Sequence, residues 1–179
     1  MRKLLYVLGF GLIAACSPSN PESEKSFYAQ YFESQIDSLL SENYGLLRHT
    51  SEGEEVEQER LDTMHVDLWE RELRGFLNAE NPNISDTANY QYAVDTAGRF
   101  EIRRLSAKDS TADLQFWEET RVDGAIQLIT WRVQKKSVLI DRYFEMTYQP
   151  MKGYRIKMKE DAAWASAREY EIFAEFVEP

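Results

Sequence analysis

The sequence predicts an α+β fold in which an N-terminal helical hairpin packs on a curled antiparallel sheet of about seven strands. Three observations carry this. Apolar residues recur at helical spacing from Ser26 to about Ala79, the spacing drops to two after Asp86, and short turn signals separate the later segments. Helices first and strands afterwards imply segregated layers, and short turns between successive strands imply a meander.

The first helix is expected over residues 26–48. Its stripe is Tyr28, Phe32, Ile36, Leu39, Leu40 and Leu47, with Gln30, Glu33, Asp37 and Ser41 away from it and Gly45 weakening the last turn. His49 to Gly53 reads as a loop. A second helix is expected over residues 54–79, with a stripe of Leu61, Met64, Leu68, Trp69, Leu73, Phe76 and Leu77, stopped by Asn81-Pro82-Asn83. The acidic run from Glu52 to Glu59 suits the positive end of that helix.

Strands follow from about residue 87. Tyr90, Tyr92 and Val94 alternate with polar residues, and a turn at Asp95 to Gly98 leads to Phe100 and Ile102. Leu114, Phe116 and Trp117 mark a third strand, and Asp123-Gly124 is a two-residue hairpin signal. The fourth strand spans Ala125 to Gln134 and the fifth Ser137 to Tyr148. Tyr154, Ile156 and Met158 mark a sixth, Asp161 to Glu169 is expected as a short helix capped by Asp161, and Tyr170 to Val177 is the last strand. After Lys25 no repeat or boundary interrupts the chain, so residues 26–179 form a single α+β domain.

Alternation fails in the middle of this sheet. Ile126, Leu128, Ile129, Trp131 and Val133 fall on both parities, and Phe116-Trp117, Val138-Leu139-Ile140 and Tyr143-Phe144 are consecutive apolar residues. The central strands therefore read as apolar on both faces, and a helical hairpin covers only one. Either the sheet curls into a half-barrel with an ordinary core, or Trp117, Ile129, Trp131, Leu139, Tyr143 and Phe144 line a surface for an apolar ligand or a partner protein.

The first sixteen residues, MRKLLYVLGFGLIAAC, have a different character. Arg2 and Lys3 precede an apolar run from Leu4 to Ala15, which is shorter than the roughly 20 residues that a membrane-crossing helix needs. Ile13-Ala14-Ala15-Cys16 resembles the lipobox of bacterial lipoproteins. The resemblance implies removal of residues 1–15, lipid on Cys16, and attachment to a cell-envelope membrane. Ser17 resembles lipoproteins sent to the outer membrane, with periplasmic and surface faces both open. Residues 16–25 then form the acylated cysteine and a tether, its Ser/Pro-rich part reaching roughly 30 Å at about 3.3 Å per residue. Cys16 is the only cysteine, so its acylation excludes disulfides and thiol chemistry.

The formal charge of -10 becomes more negative still once Arg2 and Lys3 are lost. Such a surface repels nucleic acid and anionic headgroups, leaving the lipid as the expected membrane contact. His49 and His65, with Asp62 and Asp67, do not make a metal-ligand spacing, and no cofactor is expected. Nucleophile-elbow, phosphate-loop and zinc-protease motifs are absent from the sequence. Glu118 and Glu119 should point to opposite faces of a strand, while Glu118 with Asp141 or Glu145 would give a glycosidase pair only if the strands brought them together. Asn83-Ile84-Ser85 is a sequon without consequence in a bacterial lipoprotein. Trp69, Trp117, Trp131 and Trp164 are candidates for a sugar-stacking platform, but core packing is expected for most of them, with Trp164 the exception. The expected role is a non-enzymatic binding or assembly component. A carrier or receptor for an apolar ligand comes second, and an envelope glycan hydrolase third.

Overall fold

The computed structural model describes residues 27–79 and 81–178. The lipobox, Cys16 and the tether lie outside the described residues. The architecture is a single nine-stranded antiparallel sheet, not closed, with three short helices on one face. The elements are α1 (Phe27–Ser41), β1 (Gly45–Glu52), β2 (Glu55–Leu61), α2 (Val66–Glu72), α3 (Arg74–Leu77), β3 (Tyr90–Ala97), β4 (Phe100–Ala107), β5 (Leu114–Val122), β6 (Ala125–Lys135), β7 (Ile140–Gln149), β8 (Gly153–Ala162) and β9 (Arg168–Val177). The sheet order is β2-β1-β9-β8-β7-β6-β5-β4-β3. The meander from β3 to β9 is thus extended by an N-terminal hairpin that pairs with the last strand.

That hairpin corrects the expected helices over 26–48 and 54–79. The first helix ends at Ser41 because Asn43 takes a left-handed backbone (φ 57°). The Tyr44 N–H then donates to the Leu39 carbonyl and the Asn43 N–H to that of Leu40, the paired bonds of a Schellman ending. Leu47 leaves the helical stripe and, with Leu46, becomes a strand residue, Gly45 lying so close to the Leu61 carbonyl that a Cβ would be 2.6 Å from it. The acidic run ends β1 at Glu52, turns at Gly53 (φ 60°) and continues as strand β2, where Glu55, Glu57 and Glu59 belong to an exposed sheet edge. Only residues 66–77 of the second expected helix are helical, broken at Leu73. All seven expected strands are present. β8 runs on through Ala162 and β9 begins at Arg168, so the expected Asp161–Glu169 helix is a strand end and a turn.

The core lies between α1, α2, α3 and one face of the sheet. Tyr28, Phe32, Ile36 and Leu39, at steps of four, four and three, are buried along α1. Phe32 stacks edge-on against Tyr148 (4.8 Å between centroids), Tyr28 against Trp131 (5.2 Å), and Trp69 of α2 against Phe176 (5.2 Å). Phe76 of α3 fills the space between Phe32, Trp131 and Tyr154. Such edge-to-face ring packing supplies area and orientation together.

Two β-bulges account for part of the broken alternation. Between Leu114↔Val133 and Phe116↔Arg132, Gln115 is the extra residue. Between Thr120↔Leu128 and Arg121↔Ile126, it is Gln127. Each bulge inverts the parity, so Ile126, Ile129, Trp131 and Val133 share the helix face, while Leu128 and Phe116 turn away. The second face is consequently mixed rather than uniformly apolar, and Val138 and Leu139 belong to an exposed turn.

Candidate functional site

Away from the helices, the sheet is cupped. A groove of about 670 Å³ crosses β6, β7, β8 and β9 and reaches Gln115 and the β1–β2 turn. Its floor is two cross-strand rows. Arg132, Glu145, Lys157, Glu171 and Ser51 are paired in register in one, and Gln134, Tyr143, Lys159 and Glu169 in the other. Val133, Phe144, Met158 and Tyr170 lie between these rows and point to the helix side, so their backbones complete the floor. A second hollow of about 500 Å³ adjoins it over Thr147, Arg155 and Phe173, sharing Glu145 and Lys157.

Alternation of strands puts opposite charges beside one another here. Arg132 donates to Glu145 (2.7 Å) and lies over the Phe116 ring (4.9 Å). Arg155 pairs with Glu171 (3.0 Å) and lies over Phe173 (5.2 Å). Lys157 stands in register between Glu145 and Glu171. The Gln134 amide, buried, donates to the Tyr143 hydroxyl (3.0 Å). Cations and carboxylates are interleaved within a strongly acidic protein, so the groove offers fixed dipoles and half-stacked guanidinium groups to whatever docks on it. Half-exposed ion pairs of this kind contribute little to stability and remain available for exchange with a partner.

The two buried carboxylates lie on the other face. Glu119 accepts from the Tyr28 hydroxyl (2.7 Å) and from Arg121 Nε (2.5 Å). Glu72 accepts from Arg48 Nη1 (2.7 Å) and from the Tyr154 hydroxyl (2.8 Å). Each carboxylate is satisfied by one arginine and one tyrosine, and each ties a helix to the sheet: α1 to β5, and α2 to β1 and β8. Burial, then Glu119, pushes the Tyr28 phenol far above its ordinary range; burial, then Glu72, does the same to Tyr154. Burial works against the Arg48 cation, but Glu72 and Glu59 beside it keep its pKa above the usual value.

The six residues expected to line one apolar surface are divided. Trp117, Ile129 and Trp131 are inside the core beneath α1. Tyr143 is on the groove floor, Phe144 contributes to that floor from the opposite parity, and Leu139 is exposed in the β6–β7 turn. The Ala163 N–H donates to the Leu139 carbonyl (3.1 Å), which places the turn carrying the exposed Trp164 beside it. Glu118 and Glu119 do point to opposite faces, with Glu118 held by Arg104 (2.5 Å). Glu145 is held by Arg132, and Asp141 accepts the Ser137 N–H (3.3 Å), so each of these carboxylates is engaged separately. Among the described residues, no group of three or more metal-ligating side chains is gathered, and no helix is long and apolar enough to cross a membrane. The charge rows of the groove escape sequence reasoning because a meander makes successive strands neighbours without fixing the register that aligns Arg132, Glu145, Lys157 and Glu171.

No family model, curated protein or solved structure matches the chain.

Proposed function

We propose that this protein is a lipid-anchored component of a bacterial cell envelope, held through Cys16 and acting as a non-enzymatic binding or assembly element. The observation that carries the anchoring is the leader itself: a cationic start, an apolar run too short to span, two small residues, then the single cysteine. One acyl chain gives marginal membrane binding and each buried CH₂ adds about 0.8 kcal/mol, so two or three chains on one residue hold durably. The outer membrane is the proposed site, from Ser17. What supports a binding role over carriage of an apolar ligand is the interior, filled by the rings of Phe32, Phe76, Trp131 and Tyr148. The accessible concavity mixes Tyr143, Phe144 and Met158 with interleaved charge from Arg132, Glu145, Lys157 and Glu171, an amphipathic surface of the kind that docks another protein.

Replacing Cys16 by serine tests the anchor. The variant is expected to lack acyl mass and to leave the membrane fraction; retention of both would overturn it. Native mass spectrometry of protein solubilised from its own membrane tests the role. A companion chain supports assembly, whereas a stoichiometric non-covalent lipid would replace this reading with the carrier.

A further inference from the structure

The open sheet has two edges of opposite character. β2 is guarded: Glu55, Glu57, Glu59 and Arg60 are four of its seven residues, and all but Leu61 are exposed. β3, YQYAVDTA, carries one charge, Asp95, which pairs with Arg104, a cation that also holds Glu118. It has no lysine, no proline and no bulge, and every residue from Gln91 to Ala97 is exposed. Natural sheets protect long exposed edges with such devices, so an edge of eight residues that is bare among the described residues calls for a partner strand.

Its hydrogen-bonding phase is known. The Lys108 N–H donates to the Asn89 carbonyl (2.9 Å), one step beyond the Tyr90↔Ala107 pair. Odd-numbered residues of β3 therefore bond to β4, and Tyr92, Val94 and Thr96 turn their N–H and C=O groups outward. We propose that β3 is a docking edge for a second copy of this chain, the two β3 strands pairing antiparallel about a two-fold axis through Val94. In that register Val94 faces Val94 and Tyr92 faces Thr96, both favourable cross-strand pairs, and Asp95 faces Ala93 rather than another charge. The alternative contact, β3 of one copy on β2 of the next, would add strands without end, and the glutamates of β2 oppose further pairing at that edge. Self-pairing through β3 closes as a dimer and leaves only guarded edges outside. This inference goes beyond the anchoring proposal and does not depend on whether Cys16 is acylated.

A single pair of edge strands is a small interface, so the dimer should dissociate on dilution. The test uses the protein as isolated from its cells, in the detergent that extracts it. Sedimentation across a dilution series is expected to reveal a monomer–dimer equilibrium. V94K puts like charges on the axis and T96P removes an outward N–H while sparing the β4 ladder; each should weaken dimerisation about tenfold or more with thermal stability unchanged. V56K, on the β2 edge, should leave it intact. A cysteine at Val94 should cross-link to its own copy, while one at Val56, with Cys16 likewise present, should not. A monomer at every concentration, or a dimer indifferent to V94K and T96P, overturns the proposal.

Discussion

Tyr28→Phe deletes one oxygen and tests how α1 is held to the sheet. The Glu119 side chain is 1% exposed, and its Oε2 receives the Tyr28 hydroxyl at 2.7 Å, while Arg121 holds Oε1. A hydrogen bond to a charged group is worth about 1.5–3 kcal/mol, and losing it leaves a buried carboxylate oxygen without its donor. Arg121 stays in place, so the expected loss is in the middle of that range, about 2 kcal/mol. For a domain of this size about 1 kcal/mol moves Tm by about 2–4 °C, giving a fall of roughly 4–8 °C. Urea denaturation should show the midpoint moving at constant m, and amide exchange should quicken in the first turn of α1. Combining Tyr28→Phe with Glu119→Gln isolates the charged part of the bond, with a coupling of about 1 kcal/mol expected. A Tyr28→Phe variant within about 0.5 kcal/mol of the parent would mean that ring packing alone seats the helix.

Other perturbations follow from the same geometry. At Gly153 (φ 149°) a Cβ would lie 2.0 Å from the Ala174 carbonyl oxygen, so Gly153→Ala should cost about 3 kcal/mol or more by urea midpoint; a neutral result would deny the close β8–β9 approach. Tyr28, Tyr148 and Tyr154 all have phenols raised, first by burial, so their contribution is intact below about pH 10 and is lost as pH rises above it. Each should remove about 1.4 kcal/mol of stability per pH unit in that alkaline window, and Tyr28→Phe should flatten the slope by one such share; an unchanged slope would refute the linkage. Asn43→Val should cost about 1–2 kcal/mol because a branched side chain opposes its left-handed backbone, whereas Asn43→Gly should be tolerated; thermal melts of the pair decide it.

The meander was legible because its turns speak locally. Asp123-Gly124 has the positive φ values (51° and 82°) that a two-residue hairpin demands, and Tyr154 to Lys159 alternates without interruption. The N-terminal hairpin was not, because its two cues point the wrong way. Leu40 and Leu47 are seven apart and mimic a helical face, and the helix stop is an asparagine, a weaker signal than glycine or proline. Glu55 to Arg60 has the composition of a helix start, yet its charges reflect an edge strand, a property of sheet order and not of local preference. The central strands misled in a third way: a bulge shifts parity by one residue, so Gln115 and Gln127 return Leu114 and Ile126 to the core face, while Phe116, Leu128 and Tyr143 do lie on the other, mixed face.

Asymmetry between the edges bears on how the proposed anchoring would act. Two domains free in solution meet through a β3 edge too small to hold them tightly, whereas two domains tethered by roughly 30 Å of chain to one membrane share a thin layer, and their effective concentration rises without any new contact. A weak edge is then sufficient on the membrane and harmless during export, when a sticky one would promote aggregation. The groove of Arg132, Glu145, Lys157 and Glu171 lies on the sheet face opposite α1, the helix from which the tether would leave. Pairing through β3 continues the sheet from one copy to the other and leaves the β6–β9 surface of each uncovered. Under that arrangement dimerisation and partner docking occupy separate strands, so V94K should abolish the first and leave the second, and reversal of the groove charges should do the converse.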